Sequence, residues 1–197
     1  HPVPYIDKIV RGRGTDYMTA DQRFASFRPD VLTFETQPLS ADLTLGGELI
    51  ADLKVAISTT DADFVVKLID VFPDDFSYNT AKKGDDPYVM GGYQMLVRGD
   101  VMRGRFRDSF ETPKAFAPNL PATVSFQLND IAHTFKKGHR LMVQVQSSWF
   151  PLVDMNPQQF VDIYHCNAAD FVKSTIKVFH QGNLASKIIL PVLNNKF

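Results

Sequence analysis

The sequence predicts an all-β domain, a two-sheet sandwich of jelly-roll type with long loops and one or two short helices. Three observations carry this expectation. The segments between Gly, Pro, Asn and Asp residues are short and alternate apolar with polar side chains, as strands with one buried face do. About eight such segments recur, with long excursions between them. No strand-helix-strand alternation runs through the chain, which disfavours a doubly wound fold. At 197 residues, 44% hydrophobic and with 16 phenylalanines, the chain is long enough to bury one large core.

In chain order, the first expected strand is Val31 to Thr36. In Leu53-Lys54-Val55-Ala56-Ile57, the residues Leu53, Val55 and Ile57 share one face. Asp63 to Phe72 and Tyr93 to Phe106 follow, separated by Ser77 to Gly92, whose Asn79, Lys82, Lys83, Gly84, Asp85, Asp86 and Pro87 mark a surface loop. Thr123 to Leu128 aligns Val124, Phe126 and Leu128, and Arg140 to Ser147, Ser174 to Phe179 and Lys187 to Val192 complete the set. The best helical signal is Pro157 to Tyr164. Asn156 suits its cap, Pro157 its first turn, and Phe160, Ile163 and Tyr164 an inward face.

Charge and hydropathy exclude several function classes. The 21 basic and 22 acidic residues are mixed along the chain, net charge −1, so no basic stripe matches a phosphate backbone, and nucleic acid is not an expected partner. No apolar stretch approaches the roughly 18 to 20 residues that span a bilayer, so no membrane partner is expected. The single cysteine, Cys166, excludes an internal disulfide and a multi-cysteine metal cage, and leaves the compartment open. The start, His1-Pro2-Val3-Pro4-Tyr5, has neither a basic nor an apolar leader region and reads as the middle of a polypeptide.

Catalytic chemistry is sparse. No G-x-S-x-G places a serine on a strand-to-helix turn, and Ser147-Ser148, without flanking glycines, reads as a strand end. His133 and His139 are six apart and belong to no H-E-x-x-H, so His133 reads as a loop position, and His165 and His180 as the margins of elements. Asp61 and Asp63, and Asp70, Asp74 and Asp75, do not have the spacing of a calcium loop. Asp70 inside an apolar strand must reach an edge or find a partner, and an arginine is expected. Trp149, in Ser148-Trp149-Phe150-Pro151-Leu152-Val153-Asp154, reads first as core and second as a stacking platform for a sugar ring. Arg11-Gly12-Arg13-Gly14 reads as a solvated loop able to meet an anion.

Long strings in conserved order resemble the C-terminal non-catalytic domain of the X-Pro dipeptidyl-peptidase family, which also includes cocaine esterase, α-amino-acid ester hydrolases and glutaryl acylase-like enzymes. They are Ala20-Asp21-Gln22-Arg23, Arg28-Pro29-Asp30-Val31-Leu32, Asp61-Ala62-Asp63-Phe64, Lys67-Leu68-Ile69-Asp70-Val71-Phe72-Pro73-Asp74, Gly138-His139-Arg140-Leu141-Met142-Val143-Gln144-Val145, Ser147 to Pro157 and Ser186 to Val192. The resemblance implies a galactose-binding-like sandwich over residues 25–197, entered through a linker and pocket-facing loop over 1–24. It also implies partner α/β-hydrolase and cap domains that carry the catalytic triad upstream, so that no catalytic residue, cofactor or metal falls on this chain. The loop Ile9 to Met18 is then expected to lean over the pocket and to meet a small acyl or peptide substrate through Val10, Arg11, Arg13 and Tyr17. Two alternatives stand beside it. One is a stand-alone carbohydrate-binding jelly roll using Trp149; the other is a metal-dependent hydrolase in which Asp61, Asp63 and a histidine converge.

Overall fold

The computed structural model describes residues 19–77 and 90–193. Eight strands are formed there: β1 (Val31–Glu35), β2 (Leu43–Ile57), β3 (Asp63–Val71), β4 (Gln94–Arg103), β5 (Ala122–Phe135), β6 (Arg140–Gln146), β7 (Ile176–Val178) and β8 (Lys187–Ile189). One turn of helix, α1 (Arg23–Ser26), precedes them. The strands make two antiparallel sheets, ordered β1-β6-β3-β4 and β5-β2-β7, with β8 also pairing with β2. The chain changes sheets at every connection except β3 to β4 and β7 to β8, which produces a two-sheet all-β sandwich.

The period of two builds the core. Leu49, Ala51, Leu53 and Val55 of β2 and Val124, Phe126 and Leu128 of β5 face Phe64, Val66 and Leu68 of β3 and Leu141 and Val145 of β6. Each Val, Leu or Phe among them contributes about 1.5–3 kcal/mol on leaving water.

β3 departs from alternation, because all nine of its residues are buried. Its even-numbered apolar residues enter the inter-sheet core, while Val65, Ile69 and Val71 form a second cluster with Leu96, Met142 and Trp149 on the outer side of the sheet. A strand covered on both faces reads as a nearly continuous apolar run, and Phe64 to Val71 is one, broken only by Lys67 and Asp70.

Two strands run further than their sequence suggests. β2 continues back from Leu53 to Leu43 through Gly46-Gly47, and β5 continues past Leu128 to Phe135 through Asn129-Asp130. Both passages are turn signals in isolation. Here they meet across a register shift between Gly47 and Leu49, and Gly47 takes φ 123, a bulge that a glycine admits without strain.

The helix expected over Pro157 to Tyr164 does not form. Asn156 Oδ1 does accept from the Gln158 amide at 2.8 Å, as a cap would. Gln158, however, turns left-handed at φ 66, and the backbone beyond it bonds to other elements. Phe160 N donates to Thr60 Oγ1, and the Gln159 and Val161 carbonyls accept from Arg105. Only short 3-10 turns remain, at Ile163–His165 and Ala168–Asp170.

Candidate functional site

The outer face of the β1-β6-β3-β4 sheet is where the N-terminal segment is seated. Three residues, Asp21-Gln22-Arg23, do most of the seating. Asp21 Oδ1 accepts from the backbone amides of Arg23 and Gln94, and its other oxygen takes the Arg23 guanidinium at 2.7 Å. The paired Arg23 also reaches the Gly91 carbonyl. Gln22 N donates to Gln94 O at 2.9 Å, which docks the segment onto the start of β4. Ala25 of α1 packs on Val31 of β1. Just upstream, the Tyr93 hydroxyl holds the Thr19 carbonyl.

Beneath Gln22 lies Lys67, fully buried in the middle of β3. Its ammonium donates to Gln22 Oε1 at 2.9 Å and lies 5.1 Å from the Trp149 ring and 5.7 Å from that of Phe24. Gln144 Nε2 of β6 donates to the Gln22 carbonyl at 3.4 Å. Among the described residues no carboxylate pairs with Lys67. Burial therefore dominates and pushes its pKa from 10.5 down to about 7, since an amide oxygen and two ring faces return less than hydration did. Gly99 of β4 lets Trp149 close over this site, because a Cβ there would sit 3.1 Å from the indole.

A second buried polar cluster fixes the long loop after Trp149. Asp61 accepts from Arg105 Nε at 2.7 Å, and Asn156 Nδ2 bridges Asp61 and Asp63 at 3.0 and 2.8 Å. Arg103 lies 3.3 Å from Asp63. Burial, partly offset by Arg103 and Asn156, pushes the Asp63 carboxyl up to about 6. Arg105 continues outward to the Val161 and Gln159 carbonyls and stacks on Phe160 at 4.8 Å. Asp61 and Asp63 thus converge on two arginines and an asparagine, not on a histidine.

Asp70 is partnered by two histidines, where the sequence suggested an arginine. His139 Nδ1 and His133 Nε2 each donate to one of its oxygens, at 2.8 and 2.9 Å. His133 belongs to β5, not to a loop, and it comes beside His139 because the β5–β6 turn reverses the chain through Gly138 at φ 86. Among the described residues no serine or cysteine hydrogen-bonds to a histidine, and no group of three or more His, Cys, Asp or Glu side chains could hold a metal ion.

Val10, Arg11, Arg13 and Tyr17 lie outside the described residues. Trp149 is 6% exposed, with its ring inside the outer-face cluster, so neither ring face is free for a sugar. Ser147 and Ser148 follow the end of β6. Sequence reasoning missed Lys67 and Gln22. The available signal was a lysine at the centre of an apolar strand, which must find an acceptor.

Among the described residues, the structure is a two-sheet β sandwich whose buried polar clusters hold its own segments in place. Residues 15–189 match the family described as the X-Pro dipeptidyl-peptidase C-terminal non-catalytic domain, and the chain belongs to that family. It is 28% identical over 192 residues to the cocaine esterase of Rhodococcus sp. (strain MB1 Bresler), covering 98% of this chain and 30% of the esterase. The structure of an α-amino acid ester hydrolase superposes with a TM-score of 0.89 at 42% identity, over 98% of this chain and 31% of the other. An aminopeptidase from a marine sediment Thaumarchaeota archaeon superposes with a TM-score of 0.89 at 36% identity, over 98% and 32%. The chain therefore spans about a third of the length of these relatives.

Proposed function

We propose that this chain is the C-terminal accessory domain of a serine hydrolase acting on peptides, amino-acid esters or acyl amides. It packs on the α/β-hydrolase and cap domains, and its residues 1–24 serve as linker and pocket-facing loop. The observation that carries the reading is the seat built for Asp21-Gln22-Arg23. A fully buried lysine and both backbone groups of Gln94 are committed to fixing a segment that begins four residues after Tyr17. Such rigid support suits a loop whose side chains must be held over a pocket. The relatives' names, an esterase, an ester hydrolase and an aminopeptidase, support this reaction class.

Within that loop, Arg11 and Arg13 present planar guanidinium forks that match a carboxylate-bearing acyl group better than a neutral ester. Replacing both with alanine in the full-length enzyme is expected to lower kcat/KM for acidic substrates about 10- to 100-fold, the range of one lost charge-assisted hydrogen bond. Neutral substrates should change little. Paired assays on an acidic and a neutral substrate decide it, and equal losses, or none, sink the loop assignment.

A further inference from the structure

We propose that the outer face of the β1-β6-β3-β4 sheet, ringed by Phe27, Phe110, Phe150, Leu152 and Tyr164, is the surface on which the upstream hydrolase portion docks. This rests on the accessory-domain reading above and adds the face and its contact residues.

The two broad faces of the sandwich differ. Outside the β5-β2-β7 sheet, the exposed positions are Thr123, Ser125 and Gln127 of β5, with Asp52 and Lys54 ion-paired on β2, Lys187 beside them, and the aliphatic Ile189 and Leu193 about half exposed. That face alternates as a sheet facing water does. Outside the other sheet, β3 is buried throughout, and the segments lying over it expose aromatic side chains. Phe27, which ends α1, is 84% exposed. Tyr164, 79% exposed, borders with Leu152 and Val153 a cavity of about 420 Å³ that reaches Val101 on the outer side of β4, and Phe110, equally exposed, stands at the β4 edge between this cavity and Ser125 and Gln127 of β5. Large aromatics left this open mark an interaction surface, and aromatic side chains are enriched in such interfaces.

The direction of the chain names the occupant. The matched family is a C-terminal domain, and this chain covers about 30% of its relatives, so their remaining length precedes the matched region. Here the described chain enters on this face, with Thr19 held by Tyr93 and Gln22 sunk against β3, β4 and β6. A polypeptide arriving there meets this face first. The rival surface is the apolar groove of about 470 Å³ between the β1 and β8 edges, lined by Phe34, His180 and Ile188, and the chain entry does not lead to it.

Hydroxyl-radical labelling of the full-length polypeptide, read by mass spectrometry and normalised to each residue's intrinsic reactivity, tests the assignment. Phe27 and Tyr164 are expected to label at least fivefold less than their exposure in this structure implies, with Phe34 and His180 unprotected. Protection confined to Phe34 and His180, or to the β5 face, would overturn the docking face while leaving the accessory-domain reading intact. If no exposed side chain of this domain is protected, both fall, because the domain then packs on nothing.

Discussion

Arg105→Met is expected to lower the unfolding free energy by about 3–5 kcal/mol, because it leaves Asp61 buried without its charge partner. Asp61 is fully buried, and its carboxylate is held by Arg105, the Asn156 amide and the Ala62 backbone amide. Removing the guanidinium also frees the Val161 and Gln159 carbonyls and the Phe160 ring, so the loop after Trp149 loses its anchor in the same step. For a domain of this size the melting temperature should fall on the order of 10 °C. Urea titration of wild type, Arg105→Met and the double variant Arg105→Met with Asp61→Asn separates charge from packing. Neutralising Asp61 should recover at least about 1 kcal/mol of the single variant's loss, since an unpaired buried charge costs more than an unpaired amide. A double variant no more stable than Arg105→Met would show that the pair acts through shape alone.

Lys67→Met is expected to change how stability depends on pH. The folded pKa of Lys67 lies at about 7, below its ordinary 10.5, so between those values the unfolded chain holds more protons than the folded one. Wild-type stability from this group is complete above 10.5 and is lost as pH falls through about 7. Relative to Lys67→Met, the wild type should therefore gain about 3 kcal/mol from pH 7 to 9.5, at about 1.4 kcal/mol per unit. The unpaired Gln22 oxygen left in the variant adds an offset of about 1–3 kcal/mol that does not vary with pH. Asp63 has the opposite sign. Its carboxyl is raised to about 6, so its contribution is present below 3.8 and is lost as pH rises through 6, outside the window used for Lys67. Parallel denaturation curves at several pH values check the difference, and a constant gap between the two proteins would refute a buried, depressed ammonium.

The site was legible to different depths. Asp21-Gln22-Arg23 stood out as a string, yet its work became visible only with Lys67, 45 residues away, beneath it. Asp70 was marked as a buried carboxylate in need of a partner, but the partner was misjudged, because His133 lies 63 residues from it and reads locally as part of a turn. The helix over 157–164 failed for a similar reason. Its cap and first proline are sound local signals, and the carbonyls it needed are taken by Arg105, more than 50 residues earlier.

By itself, the sequence determined the class of fold and the position of nearly every strand, because alternation of apolar and polar residues is a property of neighbours and survives any tertiary arrangement. Only the tertiary structure decided which buried charges meet, where β2 and β5 bulge rather than end, and which broad face carries the N-terminal segment. Those outcomes depend on hydrogen-bond partners 44 to 95 residues apart, and satisfying a buried polar group is worth enough to override a local turn or helix signal.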